Sequence, residues 1–229
     1  MTMVKIPMVS PVSINTVKRY AVNSGVIIKN FNFSKITNAA GFLTYITEHP
    51  EDVLGATVGD TEINENRKVW NPEHNGLRMP FKGSNYFETC QPMLKASLVE
   101  MRATNLQLAS GSAKLTIATT KMYENVQPYA SYADEDYLEN ITWFTNYGNN
   151  GIIGVTLKNA LCISGMNWKI GDKGIASCDV EFRAHSGNAL MNDQLPINYF
   201  IYYNGSLAGT DKGDEGETDE GTEGTGAGA

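Results

Sequence analysis

The chain has 229 residues, of which 41% are hydrophobic and 19% charged, and its formal net charge is −7. This length is ample for one sizeable domain, and the hydrophobic fraction lies well above that of disordered proteins. No apolar run approaches the roughly 20 residues that a membrane-spanning helix needs. Met1–Ser10 lacks the apolar core of a secretory signal. The sequence therefore predicts a protein with no membrane partner that is made and kept in a cytoplasm.

The negative charge is concentrated at the C-terminal end. Of the 25 acidic and 18 basic residues, seven acids and one base lie in Gly209–Ala229, so this segment carries −6 and the remaining 208 residues carry −1. A body near neutrality associates readily, and it has no basic stripe of the kind that nucleic-acid binders use. Gly209–Ala229 has no apolar side chain larger than Ala, which predicts a disordered acidic, Gly-rich tail.

The N-terminal half is predicted to contain strands and one principal helix. Residues 1–20, interrupted by Pro7 and Pro11, are predicted to form an extended arm before the main domain at residues 21–208. Val26–Phe33 is rich in β-branched and aromatic residues and predicts a strand. Helical spacing from Ile36 to Ile46 predicts a helix that is capped at Ser34 or Thr37 and ends at Pro50.

A long hairpin is predicted next. The polar strand Asp60–Trp70 is followed by turn residues over Asn71–Asn85, and Tyr86–Arg102 can return as a strand interrupted at Pro92. The next predicted elements are a short helix at Thr104–Ala109, a strand around Leu115 and Ile117, an irregular loop at Met122–Asp136 and a strand at Leu138–Tyr147.

A second ribbon follows the turn at Gly148–Gly151. It consists of the predicted strands Ile152–Ile163 and Gly174–Ala184, and a last aromatic strand is predicted at Ile197–Tyr203. Side chains alternate along Gly174–Ala184, so that Cys178 and Val180 share an apolar face while Asp179 and Glu181 share a polar one. The predicted fold is mainly β, an antiparallel β-sandwich or barrel-like domain with one flanking α-helix and two long β-hairpins.

Residue patterns typical of enzymes and of cofactor sites are missing from the sequence. His49, His74 and His185 are far apart in the chain and have no metal-ligand spacing, and no Gly-rich phosphate loop occurs. Cys90, Cys162 and Cys178 form no metal motif, and the acids of Asp134–Asp136 are typical of a solvated loop. The sequence therefore predicts no catalytic residue, cofactor or metal, and a protein that is not an enzyme.

Three segments resemble the major tail tube protein of long-tailed bacteriophages. They are LGATVGDTEI (Leu54–Ile63), Met79–Gly83 in the hairpin tip, and GDKGIASCDVEFRAH (Gly171–His185) followed by Pro196-Ile197 and the aromatic last strand. The resemblance covers Val12–Tyr203. It implies a structural virion protein whose copies form hexameric rings that stack into a tail tube, the conduit for genome delivery into the host.

The resemblance also implies partners and a location. The tube assembles in the host cytoplasm on a tape measure protein, joins tail terminator and baseplate proteins in the virion, and conducts DNA through its lumen without specific binding. An acidic lining would repel DNA phosphates. Asp60, Glu62, Asp179 and Glu181 are the candidate lumen-facing residues because they lie on the polar sides of the two hairpins.

Other functions fit the same composition. One is a related structural part: a tail terminator, a capsid-decorating protein, or the tube protein of a phage-like secretion or bacteriocin particle. Another is a carbohydrate-binding β-sandwich module that uses exposed aromatic residues such as Trp70, Tyr129, Tyr132 and Tyr137.

We expect deletion of Gly209–Ala229 to leave self-assembly intact, because this segment has no side chains that could pack at an interface. Electron microscopy of the full-length and truncated proteins at equal concentration tests this. Loss of rods in the truncated protein alone would show that the acidic tail takes part in assembly.

Overall fold

The computed structural model describes residues 20–72, 79, 82–118, 120, 122–148, 151–172, 174–187 and 194–203. These residues form two α-helices, two short 3₁₀ turns (Phe33–Lys35 and Asp134–Asp136) and a set of antiparallel strands. The helices are α1 (Ala39–Glu48) and α2 (Ala103–Ala109). The strands are β1 (Ala21–Lys29), β2 (Glu62–Asn64), β3 (Lys68–Trp70), β4 (Tyr86–Thr89), β5 (Met93–Leu98), β6 (Ala113–Ala118), β7 (Tyr123–Pro128), β8 (Leu138–Tyr147), β9 (Gly151–Cys162), β10 (Asn167–Lys169), β11 (Ser177–Arg183) and β12 (Ile197–Tyr203). The mainly β prediction is confirmed.

Eight of the strands build two connected sheets, and the hairpins β3–β4 and β6–β7 each form a separate two-stranded sheet. In the first sheet the order is β1-β8-β9-β12, with Tyr147 opposite Gly151 across the tight β8–β9 turn. In the second sheet β2, β5, β11 and β10 lie side by side. Strand β9 belongs to both, because its first half pairs with β12 while its end pairs with β11 at Leu161 and Cys162.

Both faces of the first sheet are buried. Neighbouring residues on a strand point to opposite faces, so Ile27 faces the second sheet while Ile28 faces helix α1. The cluster between the two sheets includes Leu157, Val180 and Phe182. Residues that alternate along the strands of the first sheet are therefore apolar on both of its faces. One face packs in the sandwich and the other packs against the flanking helix.

Helix α1 packs through an aromatic cluster. It begins after Asn38, whose side chain accepts a hydrogen bond from the Gly41 N–H at 3.0 Å, so the caps predicted at Ser34 and Thr37 are wrong. Phe42 is fully buried and its ring lies within 6 Å of the rings of four aromatic residues. These partners are Phe31, Phe144, Phe200 and Tyr202.

The two connected sheets do not close into a barrel. Residues 52–58 run between β1 in the first sheet and β5 in the second. The Leu54 N–H donates to the Ile27 carbonyl at 3.0 Å, and the Val58 N–H donates to the Ser97 carbonyl at 2.9 Å. Between these contacts Gly55 has φ +92°, in the left-handed region that glycine adopts without strain. A Cβ at this glycine would lie 2.3 Å from the Glu100 carboxyl carbon.

Three predictions about the hairpins need correction. The strand predicted over Asp60–Trp70 is broken at Asn66 (φ 46°) into β2 and β3. The predicted loop at Met122–Asp136 contains β7, which pairs with β6 along its whole length. In the ribbon predicted from Ile152 to Ala184, β9 pairs in register with β11 only at Leu161 and Cys162, because the earlier part of β9 pairs with β8 and β12. The interruption predicted at Pro92 is confirmed.

Several predicted features lie outside the described residues. These are the extended arm, of which only Tyr20 is described, most of the hairpin tip and the whole C-terminal tail.

We expect Phe42→Ala to lower the free energy of unfolding by about 3–5 kcal/mol, because it removes a fully buried ring and leaves a cavity. The neighbouring Leu43→Ala is the matched control, since Leu43 is 65% exposed and should change stability by less than about 0.5 kcal/mol. Urea unfolding followed by circular dichroism measures both. Equal losses in the two variants would contradict the packing described here.

Candidate functional site

The second sheet has a polar face opposite the core. Cross-strand register places Glu62, Lys95 and Glu181 in one row and Ser97, Asp179 and Asn167 in the next. The alternation predicted for β11 is confirmed, because Cys178, Val180 and Phe182 are buried in the sandwich core and the residues between them face outward.

The candidate lumen-facing residues do not all share this face. Glu62, Asp179 and Glu181 lie on it, on β2 and β11. Asp60 is exposed in the loop before β2 and belongs to no strand. The structure therefore brings three of the four predicted acids together on one surface.

Basic residues interleave with these acids. Lys169 Nζ lies 2.6 Å from the Asp179 carboxylate, and Lys95 Nζ lies 3.5 Å from the Glu181 carboxylate. Arg183 Nη2 lies 3.8 Å from the other oxygen of Glu181. The polar face is therefore balanced in charge, whereas the candidate lumen-facing residues named from the sequence are all acids.

Hydrogen bonds hold Asp179 ionised. Lys169 and the Ser97 hydroxyl, whose Oγ donates at 2.5 Å, lower the pKa of the Asp179 carboxyl below its usual value. The Asn167 amide also donates to this carboxylate at 3.3 Å. The network joins β5, β10 and β11 and fixes the register of the polar face.

Two arms, the β3–β4 hairpin and the loop end of the β10–β11 hairpin, extend from opposite ends of the second sheet. Across β11, Arg183 pairs with Met93 and Cys178 pairs with Leu98. Hairpin β3–β4 (the β3–β4 arm) continues beyond the Met93 end, and the loop between β10 and β11 lies beyond the Leu98 end. The five steps along β5 separate the two ends by about 17 Å at ~3.4 Å per residue.

The β3–β4 arm exposes apolar side chains on both faces. Val69 pairs with Phe87 and Trp70 pairs with Tyr86, so each face of the ribbon presents one such pair. These four side chains are between 44% and 57% exposed. A two-stranded hairpin alone is marginally stable in water, so the arm is suited to being covered by another surface.

The base of the arm is tied to β12. The Tyr199 hydroxyl donates to the Glu65 carboxylate at 2.8 Å, and Arg67 Nη2 lies 2.6 Å from the other carboxylate oxygen. Burial and this hydrogen bond raise the pKa of Tyr199 to about 12, so the phenol keeps its proton. The arm is therefore held at a defined angle where Asn66 interrupts the strand.

An apolar groove of about 840 Å³ lies at the Leu98 end of the second sheet, away from the β3–β4 arm. It is formed by α2, the tip of the β6–β7 hairpin and β10, and Glu124 is the one charged residue among the side chains that line it. Met122 and Ile117 on its rim are 96% and 63% exposed. The principal residues of this groove (the α2–β10 groove) are Met101, Leu106, Ile117, Met122, Met166 and Trp168.

The apolar side of the β10–β11 hairpin is covered only in part. Near the body, Val180 and Phe182 are buried in the chain's own core. In the loop before β11, Ile170 and Ile175 are 71% and 80% exposed. In this hairpin the exposed apolar side chains therefore lie at the end rather than at the base.

The aromatic residues proposed for carbohydrate binding lie in different elements. Trp70 is on the β3–β4 arm, where its ring centroid is 5.9 Å from that of Tyr86. Tyr129, Tyr132 and Tyr137 lie between β7 and β8, and Tyr137 packs edge-on against His185. Trp70 and Tyr137 therefore each have a ring contact within the chain.

One cluster in the described part of the chain has the residue types of a metal site. His49, Glu51 and Asp52 offer ligand atoms within 4.8 Å of one another at the end of α1. His49 Nδ1 lies 3.5 Å from Glu51 Oε1, and the Asp52 N–H donates to the His49 carbonyl. These are the ordinary contacts of a helix end, and the cluster carries no metal assignment.

Burial raises the pKa of all three cysteine thiols, which are free. Among the described residues, no helix has the length and apolar character needed to cross a bilayer.

No protein-family model matches the chain, and a search of curated proteins finds no significant match.

We expect Asp179→Asn to destabilise the protein at neutral pH, because it removes the ion pair with Lys169 and weakens the bond from Ser97. The folded-state pKa of Asp179 is lowered, so its contribution is present above the unfolded value of 3.8 and is lost as pH falls through the folded value. Urea unfolding at pH 7 and pH 3 should show a difference that shrinks at the lower pH. Asp60→Asn, in an exposed loop, is the control, and a difference that grows on acidification would contradict this assignment.

Proposed function

We propose that the protein is a structural virion protein whose copies assemble into stacked hexameric rings forming the tube of a bacteriophage tail. The observation that carries the proposal is the pair of arms at opposite ends of one sheet, the first with apolar side chains exposed on both faces. The order of elements and the motifs described above supply the resemblance to tail tube proteins.

The exposed apolar side chains favour assembly over the monomeric state. An aromatic side chain offers about 150–250 Å² for burial, and Trp70 is 55% exposed. Covering the rest of such a ring contributes roughly 2–3 kcal/mol at about 25 cal/mol per Å². Several such contacts per copy, repeated around a closed ring, offset the cost of association.

The polar face supports an inner surface that faces water. Its ion pairs leave little net charge, so copies placed side by side around a bore repel one another weakly. Because Asp179 and Glu181 occupy most of the nearby cations, DNA phosphates find few free partners. Such a surface lets DNA pass without specific binding.

The near-neutral body supports close association of many copies. Outside Gly209–Ala229 the chain carries only −1, so little long-range repulsion opposes contact between copies. In this proposal the tape measure protein sets the length of the stack, and the terminator and baseplate proteins close its ends.

We expect the purified full-length protein, when concentrated, to form rings or hollow rods that negative-stain electron microscopy can see. A reconstruction of such rods should place Asp179 and Glu181 on the inner wall. A protein that stays monomeric at all concentrations, even with a tape measure protein present, would refute the proposal. Rods with these two residues on the outer wall would refute only the assignment of the lumen.

A further inference from the structure

We propose that the β3–β4 arm of one copy inserts into the α2–β10 groove of the next copy, forming a head-to-tail contact. The inference rests on the proposed function, because it names the two surfaces through which copies associate. Its partner is a second copy of this chain.

The shape of the arm calls for a groove rather than a flat surface. Val69 and Phe87 lie on one face of the ribbon and Trp70 and Tyr86 on the other, so a flat contact would leave one pair in water. A concave surface can contact both pairs. Residues of three segments, α2, the end of the β6–β7 hairpin and β10, line the α2–β10 groove.

The positions of the two surfaces permit repeated assembly. They lie at opposite ends of the second sheet, so an arm cannot reach the groove of its own copy without folding back across the sheet. Contacts between two different surfaces join copies head to tail, and such contacts close into rings or continue as helices.

Charge on the two surfaces is complementary. Within the arm, Glu65 pairs with Arg67 and Glu88 with Lys68. The exposed Lys82 takes part in no ion pair among the described residues, which leaves one free positive charge near the arm tip. The groove carries the exposed acid Glu124. Docking can therefore bring together a cation and an anion that each form no ion pair with another described residue.

The test breaks one surface at a time. Trp70→Asp places a charge on the arm, and Met122→Asp places a charge on the groove rim; both side chains are more than half exposed, so the fold should tolerate them. Leu43→Asp, on the exposed side of α1, is the matched control. Thermal melting checks that each variant is folded before association is measured by sedimentation velocity.

We expect each of the two variants alone to lose association at least tenfold, while Leu43→Asp associates as the unchanged chain does. An equal mixture of the two should form dimers and nothing larger, since only one intact arm and one intact groove remain per pair. A mixture that stays monomeric, or either variant assembling normally, would overturn the inference.

Charge reversal supplies a second test. Lys82→Glu and Glu124→Lys should each weaken association about fivefold, and the double variant should recover most of the loss, as expected for a partly exposed pair. Lys114→Glu, on β6 but outside the groove lining, is the control. Additive losses in the double variant would overturn the pairing.

The outcomes separate this inference from the proposed function. Rods that persist in the Trp70→Asp and Met122→Asp variants would leave the tube in place and reject the arm-to-groove contact. An unchanged chain that never associates would reject both.

Discussion

The fold depends on burying the first sheet on both faces. One set of alternating side chains, represented by Ile27, packs against the second sheet, and the other set, represented by Ile28, packs against α1. A sheet buried on both faces is stable only when both covering layers are present, because either layer alone leaves a row of apolar residues in water. Helix α1 and the second sheet are therefore both needed to cover the first sheet.

This arrangement leaves the hairpin ends without cover. The second sheet uses one face for the core, and its own outer face is polar. Beyond Asn66 the β3–β4 arm leaves the sandwich, so neither covering layer reaches Val69 and Trp70. The same division between a covered base and an uncovered end occurs at the β10–β11 hairpin. The apolar side chains of the second sheet are thus buried in its centre and exposed at its two ends.

Much of this could be predicted from local pattern. The alternation over Cys178–Phe182 gave the correct buried face because side-chain period in a strand is fixed by backbone geometry. Strand β8 was predicted with its observed bounds because Leu138–Tyr147 is β-rich and ends at a strong turn. Strand β7 was missed because Tyr123–Pro128 lacks apolar alternation, and its conformation comes from pairing with β6.

The candidate surfaces needed the fold. Lys95 on β5 pairs with Glu181, and Lys169 on β10 pairs with Asp179, whereas both acids lie on β11. These pairs follow only from sheet order and register. The α2–β10 groove is built from three separate segments, none of which is distinctive by itself. Exposure of Met122 and Ile117 likewise depends on where the β6–β7 hairpin ends, which composition does not determine.

Gly55, whose φ of +92° lies in the left-handed region, restricts how this sequence can diverge. Gly55 turns the chain from one sheet edge to the other, and the Glu100 carboxylate occupies the space that a larger residue would need while it accepts the Ala56 N–H. Replacing the glycine alone strains the backbone, and shortening Glu100 alone removes a backbone acceptor and the partner of Arg102. Gly55 and Glu100 can therefore be replaced only by simultaneous substitutions. Related chains should retain both residues even where their surface residues differ.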